Sequence, residues 1–231
     1  MGMLAVTSAL VWTRALNYPL FMPEELSGLT QFLARGESRA FVSELSRLAM
    51  LGSAGASATL GFLELCGEVT GDRRVEEAKA LVEQHATSGH APSQYILAWC
   101  FWHGERGDDA LDQMRRACAQ RFAPAAFDLA RFVHRGWGVR TADLVVAEKL
   151  YWKAHSIGHV SGAQFSLHLW RTGKWGIIKA VAGTLAYPLA TLRVMIHWYF
   201  RPFSANVFFY NPHTSRTFFR SSQRSVAPEL R

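Results

Sequence analysis

Nine histidines, three cysteines and one tight run of carboxylates are the residues of this 231-residue chain best equipped for chemistry. His155 and His159 are four apart, the separation that puts two zinc ligands on one helix face. Gly158 interrupts that helix, however, and no carboxylate stands between the two histidines as in a zinc-protease helix. His85 with His90, and Cys100 with His103, lack a second pair to complete a metal site. The run Gly104-Glu-Arg-Gly-Asp-Asp-Ala-Leu-Asp112 reads as a solvated turn feeding a helix, its acids favoured by the positive end of the helix dipole. The glycines of Gly52-Ser-Ala-Gly-Ala-Ser-Ala-Thr-Leu-Gly61 are wrongly spaced for a phosphate loop. A Gly-x-Ser-x-Gly nucleophile turn is missing from the sequence. These patterns predict neither catalytic residues nor a metal or cofactor.

What remains is composition and charge. Apolar residues make up 49% and charged residues 19%, a low charge content for a surface that meets only water. Cys66, Cys100 and Cys118 are odd in number, sit in apolar helical contexts and form no CxxC pair, which reads as buried reduced thiols. The N-terminal run has no basic stretch ahead of its short apolar segment, so a cleaved signal peptide is not expected. The net charge of +7 is uneven: from Arg171 onward nine basic residues face Glu229 alone, a balance of +8. A near-neutral body joined to a basic, aromatic tail suggests two parts with different tasks.

The run Trp175–Phe200 carries only Lys179 and Arg193 as fixed charges. Its length suits a bilayer, which takes about 20 apolar residues as a helix. At 100° per residue Lys179, Gly183, Ala186, Ala190, Arg193 and His197 share one narrow stripe, and the remainder is Ile, Val, Leu, Tyr, Met and Trp. Such a helix suits an anionic lipid surface, with the stripe toward headgroups, or a partner's transmembrane segment, with the small residues at the contact. Pro188 opens a third possibility, a re-entrant hairpin, and a terminal helix that caps the solenoid is a fourth, although a cap should present a polar outer face. Trp198, Tyr199 and Arg201 extend the segment as interfacial anchors. The aromatic and arginine-rich stretch 204–231 suits the same interface, and alternatively the stacking of single-stranded nucleic acid. Residues 1–26 form a second apolar docking segment, with Pro23, Glu24 and Glu25 opening a helix.

The elements that must position these residues repeat. Gly36, Gly67, Gly104 and Gly136 follow apolar helical stretches at spacings of 31, 37 and 32. A second helical run follows each glycine and carries Ala49, Ala86, Ala117 or Ala154 at a matching place. Gly52, Gly89 and Gly158 then mark a further turn in three of the copies. The glycine-to-alanine gap runs 13, 19, 13 and 18, so short and long inter-helix loops alternate. Each glycine is expected to end its first helix in the left-handed conformation, where a Cβ is costly. A fifth first helix should precede Gly173. No single pair buries its own apolar face, so the copies must stack.

The copy built on Ala126, Leu129, Gly136, Gly138, Val139, Asp143, Ala147, Leu150, Trp152, Lys153, Ala154, Gly158 and Ala163 resembles the Sel1-like repeat, a relative of the tetratricopeptide repeat. The copy around Leu60, Gly61, Gly67, Ala78, Ala80 and Gly89 follows it less closely, and those around Gly36 and Gly104 are degenerate. The resemblance implies an all-α, α/α superhelical solenoid of about four to five helix-turn-helix repeats over residues 27–173, ending in an apolar helix or hairpin over 174–203. It also implies a non-catalytic scaffold that binds proteins; in bacteria such scaffolds accompany envelope assembly, polysaccharide production or signalling. Asp143 is then a helix N-cap rather than a catalytic acid. Taken with the apolar segment, the expected protein is an adaptor on the cytoplasmic side of a membrane, accessory to an integral-membrane protein.

Overall fold

A computed structural model describes residues 24–35, 37–67, 75–138, 141–172, 174–200 and 204. The segments 1–23 and 205–231, which contain most of the proposed docking segment and basic tail, lie outside the described residues, as do Gly36, Val139, Gly173 and Arg201.

A 3-10 turn, Glu24–Leu29, leads into α1 (Thr30–Ala34) and α2 (Ser38–Met50). Then come α3 (Ala54–Cys66), α4 (Val75–Thr87), α5 (Ala91–His103), α6 (Gly107–Ala119), α7 (Ala123–Arg135) and α8 (Leu144–Ser156). The last two helices are α9 (Val160–Arg171) and α10 (Ile177–Phe200). All the described regular structure is helical. Successive helices pack antiparallel-hairpin fashion into five pairs, and each second helix also packs on the first helix of the next pair. This is the expected α/α solenoid, and α9 is the expected fifth first helix.

Burial divides the helices by role. The first helices α3, α5 and α7 are buried along nearly their whole length, because a neighbour lies on each side. The second helices bury a single stripe: Ala78, Val82 and Ala86 on α4, Ala110, Met114 and Ala117 on α6, Ala147, Tyr151 and Ala154 on α8. Ala86, Ala117 and Ala154 are thus core residues, as the repeat requires. Small side chains there let paired backbones close up. Gly61 shows how tightly: a Cβ on it would come within 2.7 Å of Val82 Cγ1 and 3.2 Å of the Ala78 carbonyl.

The turns joining the pairs are near-identical. Ser53, His90, Phe122 and His159 each donate an N–H to the carbonyl five residues back, on Leu48, His85, Ala117 and Ala154. In each case the preceding residue has a left-handed φ: Gly52 at +88°, Gly89 at +97°, Arg121 at +63° and Gly158 at +108°. This is the Schellman ending of a helix. The sequence shows it in three copies; the fourth is the same turn carried by Arg121. The turns recur at intervals of 37, 32 and 37 residues, the alternation that the glycine-to-alanine gaps announce.

Inside the pairs the expectation holds at Gly67 and Gly136, whose φ values are +76° and +70°. It fails at Gly104, which has φ −86°. There Glu105 takes the left-handed place at +62°, and Arg106 N–H closes the turn on the Phe101 carbonyl at 2.9 Å. The left-handed residue stands one place later than the glycine suggests. Gly138, at φ +65°, sits where a Cβ would press on the Gly107 carbonyl at 3.1 Å, so the long loop of one pair leans on the start of α6. Asp143 is the N-cap of α8, its Oδ1 accepting from Val145 and Val146 N–H at 2.9 Å each.

Candidate interaction surface

The last pair departs from the pattern. By the alternation, Ala186 stands 13 residues after Gly173, in the place of Ala49 and Ala117. In the other pairs a left-handed turn follows three or four residues later. Here Leu189, Ala190 and Thr191 continue as helix, and α10 runs on to Phe200, 24 residues against 13 in each complete second helix. Pro188 is accommodated within that one helix, so the hairpin alternative does not form.

The small-residue stripe of α10 is turned inward, onto α9. Gly183 is the buried residue of the helix, and a Cβ there would meet the Leu167 carbonyl at 2.8 Å and Trp170 Cβ at 2.9 Å. Ala186, Ala190 and His197 are half-buried along the same line. Thr191 Oγ1 accepts from Gln164 Nε2 at 3.1 Å, and the Arg171 guanidinium lies over Tyr187, 4.4 Å from the ring centroid.

Lys179 closes the near end of this contact. Its ammonium sits 3.6 Å from Glu148 Oε1 of α8 and over the rings of Trp170 and Trp175, at 5.0 and 4.8 Å. Glu148 Oε1 also accepts from Trp152 Nε1 at 3.2 Å and Trp170 Nε1 at 2.9 Å. A nearly buried carboxylate is thereby matched by two indole donors and one cation, which offsets its desolvation. The structure therefore gives Lys179 an intramolecular partner, where the sequence suggests a headgroup. Arg193 is exposed at the edge of the stripe, on the side of His155, whose pKa falls below 6.5 through burial and then through the Arg193 charge.

The opposite side of α10 is apolar and open. At 100° per residue Val181, Leu185, Leu189, Leu192 and Ile196 centre about 180° away from Gly183. Leu185 is 73% exposed and Leu189 70%, with Ile177, Ile178, Met195 and Phe200 beside them. Trp198 and Tyr199 are exposed at the far tip. By length and composition α10 could cross a membrane, and little of it is buried within the chain.

Elsewhere polar side chains serve the core. Asp128 of α7 is fully buried; its carboxylate takes the Tyr95 hydroxyl at 2.6 Å and pairs with the Arg131 guanidinium. His159 stacks on Phe127 with ring centroids 4.2 Å apart, and His134 meets the Tyr151 hydroxyl at 3.2 Å. Burial pushes the Cys100 thiol up to about 12, so it is held as an unreactive thiol. Cys66 and Cys118 are buried as well. Among the described residues no three His, Cys, Asp or Glu side chains gather as a metal would need. Glu148, Trp170, Gly162 and the bond from Tyr95 to Asp128 escaped sequence reasoning, because each owes its role to a neighbour on another helix.

No family model matches the sequence, and neither does any curated protein sequence. Solved structures do share the fold. One is the crystal structure of a Sel1 repeat protein from Oxalobacter formigenes, at TM-score 0.59 and 12% identity over 87% of this chain and 85% of that one. Another is c5321, a protective antigen of uropathogenic Escherichia coli with an SLR fold, at TM-score 0.53 and 22% identity, covering 80% of this chain and 41% of that chain. The chain has the α/α solenoid fold of the Sel1-like repeat proteins.

Proposed function

We propose that this protein is a non-catalytic adaptor that binds other proteins through its solenoid and is held at a membrane by α10. One observation carries the membrane part: the terminal helix buries its small residues against α9 and leaves a continuous band of Ile, Leu, Val and Met in the open. A soluble solenoid ends in a helix whose outer face is polar. Fully burying one such side chain is worth about 1.5–3 kcal/mol, so a band of this size is a strong drive toward an apolar environment. The fold supports the adaptor part, since stacked helix pairs present extended surfaces to protein partners. An accessory role beside an integral-membrane protein on the cytoplasmic side, in an envelope or polysaccharide assembly, accounts for both halves of the chain.

The test is fractionation of cells expressing the full chain, set against a variant with Leu185, Leu189, Leu192 and Ile196 all changed to Gln. All four are exposed, so the variant should fold. The native chain should sediment with membranes through a carbonate wash and leave them in detergent, and the variant should stay in the supernatant. A native chain that is soluble and monodisperse would end the membrane reading.

A further inference from the structure

We infer that α10 engages a single leaflet of an anionic bilayer while lying in the membrane plane, docked on α9, and does not cross. This inference rests on the membrane reading above and specifies its geometry. The occupant of the apolar face is the headgroup and upper acyl region of a lipid monolayer.

The first argument is steric and electrostatic. A spanning helix is surrounded by hydrocarbon for about 20 residues. Along α10 the side facing inward is taken by protein from Lys179, over Trp170, through Gly183 and Tyr187 to Thr191, against Gln164. To cross without letting go, α10 would have to carry α9 into the hydrocarbon. Exposed His168, Arg171 and Thr172, and half-buried Gln164, would go with it. Charged and amide groups at that depth are strongly disfavoured. To cross after letting go, it would have to strip Lys179 from Glu148 and the two indoles, and leave the buried Leu167–Gly183 seam open to water. Lying flat requires neither, since only the open side need enter the lipid.

The second argument is charge. Between Glu148 and Glu229 there is no Asp or Glu, while ten Lys and Arg residues fall in that interval. Among them, exposed Arg171 and Lys174 precede the helix, and exposed Arg193 sits on its flank, at the boundary between the inward and apolar sides. With the apolar band in the acyl region, these cations stand at headgroup height, where each adds attraction to an anionic surface. Trp198 and Tyr199 at the tip are interfacial residues by chemistry.

The experiment uses the full chain with single cysteines placed at Val181, Leu189 and Ile196, each carrying an environment-sensitive fluorophore. The native thiols are buried and should not label. Labelled proteins are added to vesicles of phosphatidylcholine and phosphatidylglycerol in equal amounts, containing nitroxide quenchers at shallow or deep positions. All three sites should respond alike and more strongly to the shallow quencher, and binding should weaken when phosphatidylglycerol is omitted. In parallel, Gln164→Cys and Thr191→Cys are joined by a short bifunctional maleimide, which pins α10 to α9. Vesicle binding should be unchanged by that tether.

A deep signal at Leu189 with shallow signals at Val181 and Ile196, together with loss of binding on tethering, would show a crossing helix; it would overturn the in-plane geometry and leave the membrane reading standing. Absence of quenching at all three sites would overturn both, and self-association of the chain under those conditions would assign the face to another helix.

Discussion

Asp128 is the residue on which the middle of the solenoid turns. It is fully buried and holds the Tyr95 hydroxyl of α5 and the Arg131 guanidinium together. Breaking a buried pair from one side costs about 3–5 kcal/mol. Asp128→Ala should therefore lower unfolding free energy by that amount in urea titration, and Asp128→Asn by less. Two other residues carry strain. Arg121 and Glu105 occupy left-handed backbone that costs an L side chain about 1–2 kcal/mol, part of which glycine returns through its freer unfolded chain. Arg121→Gly should raise the melting temperature, and a fall would contradict the turn assigned to it. Neither residue announces itself in the sequence, because a left-handed arginine or glutamate leaves no mark where a glycine would. Gly104 misleads for the same reason, standing one place before the residue that bends. His90, His134 and His155 are all held below their ordinary value of 6.5, burial being the largest cause for each. A histidine with a lowered folded pKa contributes full stability above its unfolded value, and loses it as pH falls from there toward the folded value. Stability should hold above about pH 7 and decline as pH falls below the ordinary histidine value, and His134→Gln should flatten that decline.

Between elements the decisive residues are those that set approach distances. A Cβ on Gly162 would lie 2.5 Å from the Tyr151 carbonyl and 2.7 Å from the His155 nitrogen, both backbone atoms that cannot swing aside. Gly162→Ala should push α9 off α8 and cost about 1–3 kcal/mol, in the range of core overpacking. Gly136→Val, placing a β-branched residue at φ +70°, should destabilise the same region, and unchanged melting would refute the turn. The alternation of long and short loops was readable, because glycine and small-residue spacing records backbone demands directly. The stripe on α10 was readable too, as a periodicity. Which way it faced was not, since that depends on Leu167, Trp170 and Gln164 arriving opposite it from α9.

For the whole molecule, burial leaves α3, α5 and α7 enclosed and α10 half-open, so stability and attachment reside at different places. Gly183→Leu should test that separation: a large side chain at the α9 seam should release α10 while the melting of the first four pairs is retained, a difference visible by limited proteolysis after Arg171. The fold as a stack was legible from one well-formed copy. So was an apolar ending, as helix or hairpin; that it is one continuous helix of 24 residues was not, because Pro188 permits either. The regular turns have a consequence for how such a chain can lengthen. Since left-handed residues recur at 37, 32 and 37, the interval from Gly89 to Gly158 contains one pair of each loop type and begins and ends in the same phase. Copying a single pair would set two like loops side by side, at a junction without the rest of Gly138 on Gly107. Copying residues 90–158 in tandem would not, so the smallest heritable increment of this architecture is four helices rather than two.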